Sequence, residues 1–324
     1  MKTRFLTLAA LVTIALAGCS KNEDVAVNVL PEDGLIRVTA QVNNLATRGG
    51  MDNENIDYFG LFITNSTNPT VTKYTYGNVA MIKEGGVWKS YQSDGTTPWM
   101  MLWNKASETV SVVAYSPYMG GTTIDNEMSS HVESNQSEAD MMMHSDLLWA
   151  KSDVTPATPV TTNDIFYEAA TKLLTVQMNH KLSKLRINIK YGTELTQGGA
   201  TPTLGDVAVS GTRSSYTFDL NTGVVALNPA FADPTNITMF HETTDGSNFD
   251  AICEAILVPQ GAKFSVKITV NGEVYVYTYP DASYTFESGK LYRLNLTVGK
   301  DVVTPGEITS SEWGNGTGAE VETE

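Results

Sequence analysis

Apolar side chains recur at every second position along much of this chain, with turn residues between the repeats. Ile36, Val38, Ala40 and Val42 alternate with Arg37, Thr39 and Gln41. Leu185, Ile187, Ile189 and Tyr191 alternate with Lys184, Arg186, Asn188 and Lys190. The same holds for Phe264 to Val270 and for Leu294 to Val298. A period of two puts all the apolar groups on one face of an extended strand, whereas a helix needs spacings of three and four. Between Lys263–Val270 and Glu273–Tyr279 stands Asn271-Gly272. That pair supplies the two positive-φ positions of a type I′ turn and predicts a hairpin. Shorter apolar runs occur at Phe59–Ile63, Val110–Tyr115, Leu173–Met178 and Ala255–Val258. Ser137–Trp149 has a helical composition, but Met141-Met142-Met143 and Leu147-Leu148 match neither period. The chain reads as mainly β, built of sandwiches or barrels. Its 324 residues suit about two domains. Pro156 and Pro159 among threonines mark Ser152–Asp164 as a connector, which sets the units at 35–170 and 171–324.

The N-terminus carries an address. Lys2 and Arg4 precede 13 uncharged residues, Phe5 to Ala17, and then Gly18-Cys19. A positive start, a short apolar run and small residues describe a secretory signal over residues 1–18. The run is too short to span a bilayer, which takes about 20 residues. Leu16-Ala17-Gly18-Cys19 resembles a bacterial lipobox, in which Cys19 is acylated and begins the mature chain. The acyl chains would anchor the protein with no helix in the membrane. Residues 19–34 are polar and read as a tether. With 21 Lys and Arg against 36 Asp and Glu, the net charge is −15. So acidic a chain lacks the basic face that nucleic acid requires.

Reaction chemistry is sparse. The histidines at 131, 144, 180 and 241 share no metal-ligand spacing. Met141–His144 reads as core filler or adaptable surface rather than a soft-metal site. There is no Gly-x-Ser-x-Gly elbow and no glycine-rich phosphate loop. Cys253 sits in an apolar run and reads as an inert thiol. Trp88, Trp99 and Trp103 suit either a sugar-stacking platform or a core, and core is the better expectation. The expectation is a protein that is not an enzyme, with no cofactor and no metal. Arg48-Gly49, directly after the first strand, offers an accessible site to a protease.

Several pieces in this order resemble the fimbrillin family of Bacteroidetes. They are the lipobox at Cys19, Thr47-Arg48, Phe59-Gly60-Leu61-Phe62, Trp103, Val110 to Tyr118, Asn179 to Leu185, Val258-Pro259-Gln260, Gly289 to Tyr292, and Ile308 to Trp313. The resemblance implies two transthyretin-like β-sandwich domains in tandem. It implies an outer-membrane surface lipoprotein that serves in a fimbrium, in adhesion and in pilus assembly. An arginine-specific protease would cut between Arg48 and Gly49 and free the placeholder strand of Ile36, Val38, Ala40 and Val42. A strand of another fimbrial subunit would then fill the groove. The candidate donor is the segment with Val302, Val303, Ile308 and Trp313. After Trp313 the tail is acidic and glycine-rich, so the donor strand would be short, which leaves a stalk, tip or accessory role open. A rival expectation is a monomeric surface lipoprotein that binds a carbohydrate or a host or bacterial surface ligand and is never cut.

Overall fold

In the computed structural model, residues 29–43, 50–66, 73–242 and 248–314 are described. Strands make up 52% and helix 4% of the described residues, as the alternating pattern requires. The first half supplies β1 (Val38–Val42), β2 (Tyr58–Asn65), β3 (Tyr76–Glu84), β4 (Val87–Tyr91), β5 (Val110–Ser116), β6 (Glu127–His131), β7 (Leu148–Val154), β8 (Ile165–Glu168) and β9 (Leu173–His180). One short helix, α1 (Ala139–Ser145), precedes β7. All of these strands except β6 form one eight-stranded sheet in the order β1-β9-β7-β5-β2-β3-β4, with β8 also on β9.

The second half supplies β10 (Ser183–Tyr191), β11 (Leu204–Thr212), β12 (Ser215–Asp219), β13 (Val224–Leu227), β14 (Thr235–Thr238), β15 (Phe240–Glu242), β16 (Ala251–Leu257), β17 (Gln260–Ala262), β18 (Ser265–Val270), β19 (Glu273–Thr278), β20 (Tyr284–Phe286), β21 (Lys290–Val298) and β22 (Val303–Glu312). They form a sheet β15-β16-β10-β21-β22, a sheet β14-β11-β18-β19 and two smaller ones. The Asn-Gly hairpin is present: β18 and β19 pair through Val270 and Glu273, with φ of 53° at Asn271 and 83° at Gly272.

Two hydrophobic cores result. The first holds Ile36, Val38, Val42, Phe59, Leu61, Ile63, Val112 and Ala114 with their neighbours. The second holds Leu185, Ile187, Ile189, Val207, Phe218 and Val266. It also receives Phe62, Val113 and Tyr115. Alternate residues of β2 and β5 thus enter different cores, and the large sheet is the wall between them. A strand covered on both faces has no solvent side to keep polar. That is why Phe59–Ile63 and Val110–Tyr115 read as unbroken apolar runs.

Two segments depart from chain order. β9 pairs with β1, β7 and β8, so the change of sheet comes after His180. That change comes about ten residues after the boundary read near 170. β6 leaves the first half to pair with β12. α1 lies at the seam: Met142 enters the second core while Met143 packs against the first. The methionine run fits no period because its neighbours face different cores.

Candidate functional site

β1 is the edge of its sheet and runs parallel to β9, from Val38 opposite Leu174 to Val42 opposite Met178. The ladder continues past each end. Leu174 N–H donates to Arg37 O at 2.8 Å, and Asn43 N–H to Met178 O at 2.7 Å. Upstream, Ile36 N–H donates to Met101 O, and Trp103 N–H donates to Gly34 O, each at 2.9 Å. Ile36, Val38 and Val42 are buried in the first core, and Ala40 packs against it half-buried. Burying such side chains stabilises by about 1.5–3 kcal/mol apiece. Loss of the strand would open an apolar slot and leave one side of β9 unpaired, the edge that recruits another strand. Arg48, Gly49 and Cys19 lie outside the described residues; Asn43 and Gly50 are the described residues on either side of the expected cleavage point.

The candidate donor is already seated on its own subunit. β22 pairs antiparallel with β21 from Lys290 opposite Glu312 to Val298 opposite Val303, with a bulge near Pro305. An ion pair joins Lys290 and Glu312. Most side chains of β22 are exposed. Val302 points into solvent, while Val303 and Ile308 rest half-buried against the second core. Trp313 is different: it is 4% exposed, and its N–H donates to Gly289 O at 2.7 Å.

Trp313 ends in a buried junction. Its ring lies flat on the imidazole of His180, centroids 3.8 Å apart and planes 5° from parallel. Lys184 Nζ sits 5.7 Å from the ring centre. His180 Nδ1 meets Asp146 Oδ2 at 2.9 Å, with both side chains fully buried. The Asp146 carboxylate also accepts from Leu147 N–H at 2.8 Å and Met51 N–H at 2.9 Å. Lys184 Nζ pairs with Glu254 Oε2 at 2.5 Å, again with no exposure on either side. Burial pushes the Glu254 carboxyl above the usual range even with Lys184 beside it. Gly50 holds a φ of +86°, and a Cβ there would stand 3.0 Å from Asp146 Oδ2 and 3.1 Å from the Trp313 ring.

An Asp–His pair is two thirds of a nucleophilic triad. Here His180 Nε2 is buried without a hydrogen-bond partner in the structure and the ring is covered by Trp313, so no substrate can reach it. Cys253 is buried, and burial pushes its thiol up to about 12, far from a reactive thiolate. Trp103 is buried beside Tyr167, and Trp88 and Trp99 pack edge-on against Phe59 and Tyr76. All three tryptophans therefore belong to the first core rather than to a stacking platform. Among the described residues no group of three His, Cys, Asp or Glu could hold a metal ion. No described helix is long and apolar enough to cross a membrane.

His180 and Trp313 stand out in the sequence only as part of longer motifs. Asp146 and Gly50 carry no signal of their own. Lys184 falls on the polar side of an alternating strand, yet it is fully buried, paired with Glu254 and with the Trp313 ring 5.7 Å from its Nζ.

The fimbrillin-like family model matches residues 45–313. The chain belongs to the fimbrillin-like family. Two solved structures show the same fold. A candidate cell adhesion protein from Bacteroides ovatus is 20% identical, with a TM-score of 0.60 over 86% of this chain and 97% of its own. Another from Bacteroides uniformis is 18% identical, with a TM-score of 0.58 over 87% and 99%. No curated protein matches the chain.

Proposed function

We propose that this fimbrillin-like chain is the surface lipoprotein precursor of a fimbrial subunit, assembled by strand exchange after cleavage at Arg48–Gly49. The seat of β1 carries the reading. An edge segment, Ile36–Val42, with three buried apolar residues, followed within six residues by Arg48, is a removable part whose loss creates a binding slot for another strand. Cys19 would hold the precursor at the outer membrane until the strand carrying its lipid is cut away. The two cores would then correspond to the two transthyretin-like sandwiches of the family. Partners would be other fimbrial subunits and an arginine-specific protease, with adhesion to a host or bacterial surface as the outcome.

β22 lies on its own sheet with Trp313 buried. This favours a tip or accessory position, which needs the slot but not a free donor. The uncut, ligand-binding lipoprotein remains the competing reading.

Mild trypsin digestion of the folded protein tests the choice. Cleavage after Arg48 should leave a folded core starting at Gly49 that elutes as larger species when mixed with a fimbrial subunit that carries a free donor strand. Arg48→Ala should stay folded and monomeric. A cut chain that keeps β1 bound and never accepts a strand would reject the proposal. Separately, Cys19→Ser should move the protein from the membrane fraction to the soluble one; unchanged retention would refute the lipid anchor.

A further inference from the structure

The end of β22 and the start of the chain downstream of Arg48 meet at one buried point. Trp313 closes over His180; Gly50 lies against both the Trp313 ring and the Asp146 carboxylate that holds His180; Met51 N–H donates to that same carboxylate. Ile256 of β16 lines the other side of Gly50. These residues are far apart in sequence and belong to no common strand. We propose that Trp313 is a latch: it pins the C-terminal strand to the Gly50–Met51 segment, so that the two ends are held together and released together.

The physical case has three parts. First, β22 exposes most of its side chains, so apart from its backbone ladder and half-buried Val303 and Ile308, Trp313 is its one deeply buried anchor. Aromatic side chains of this size dominate the energy of the surfaces they bury. Second, Gly50 has a left-handed backbone, and a Cβ on it would stand 3.0 Å from Asp146 Oδ2 and 3.1 Å from the Trp313 ring, so a side chain there is strained and must push a neighbour aside. Third, Asp146 is the common acceptor for Met51, Leu147 and His180. If Trp313 leaves, water reaches a carboxylate whose hold on Met51 depends on a dry environment. The contact itself stands without the proposed cleavage. Its use, reporting loss of the first strand to the C-terminal strand, rests on that reading.

The test is hydrogen exchange on the intact, uncut full chain, read by mass spectrometry. Gly50→Ala places a methyl against Trp313 without touching β22. It should speed exchange of the 303–312 amides paired with β21 by about tenfold or more. Trp313→Ala should speed exchange at residues 50–58 by a similar factor, and Trp313→Phe, which retains a ring over His180, should fall between. Local effects only, with β22 unchanged in Gly50→Ala or residues 50–58 unchanged in Trp313→Ala, would overturn the latch. If Gly50→Ala does not fold, the Trp313→Phe comparison decides alone. None of these readings involves a protease or a polymer. The latch therefore fails on exchange data and the fimbrial reading fails on strand capture, and the two failures are separable.

Discussion

Lys184→Met is expected to destabilise the fold by about 3–5 kcal/mol, the cost of leaving one member of a buried ion pair without its partner. Lys184 and Glu254 are 2.5 Å apart with no exposure on either side chain. Arg186 Nε stands 3.9 Å from Glu254 and its guanidinium also pairs with Glu242 at 3.1 Å, so it compensates only in part. Removing Lys184 strengthens a shift that burial has already begun, since the Glu254 carboxyl is held above its ordinary value. A raised acid binds its proton more readily in the folded than in the unfolded state. The penalty is therefore full above the folded pKa and fades as pH falls toward the ordinary carboxylate value near 4.3. Urea titrations of Lys184→Met against the parent should show the gap narrowing from pH 7 toward pH 4.5. Adding Glu254→Met should recover most of the loss at pH 7, because two apolar groups of similar length replace the pair. Equal losses in the single and double variants would show that the pair is not the source of the cost.

Gly60→Ala is expected to cost about 3–5 kcal/mol, although it adds one methyl. A Cβ at Gly60 would lie 2.1 Å from the Tyr115 ring. Tyr115 is fully buried, and its hydroxyl donates to Asn78 Oδ1 at 2.7 Å while accepting from Met119 N–H at 3.2 Å. The ring cannot yield without leaving buried polar groups unpaired, which adds to the ordinary cost of overpacking. In a Tyr115→Ala background the same substitution should cost less than about 1 kcal/mol, since the space is then empty. Additive losses in denaturant titrations would place the strain elsewhere.

The glycine at 60 shows what kind of fact a sequence carries. Phe59-Gly60-Leu61-Phe62 is legible as a strand, and the glycine as a tolerated gap. That a tyrosine 55 residues away fills the gap from the neighbouring strand follows only from the pairing of Gly60 with Tyr115. The strand at Ile36–Val42 was legible in the same way from its alternation. Its parallel seat on β9 and the 101–103 segment beside it were not, because partner choice depends on how non-local strands close over a core. The burial of Lys184 was not legible for a related reason. Alternation identifies two faces of a strand but not which face a distant segment will cover.

The sequence by itself determined that this chain is mainly β, where its clearest strands and Asn-Gly turn lie, that Cys253 is a core residue, and the resemblance that led to the fimbrillin-like family. All of these follow from local rules: period, turn chemistry and the order of short motifs. Tertiary structure alone decided that one sheet serves two cores and that β6 crosses to the second half. It also decided that Gly50, Asp146, His180 and Trp313 meet in one dry junction. Those outcomes depend on contacts between residues up to hundreds of positions apart, whose free energy appears only once the chain has closed on itself.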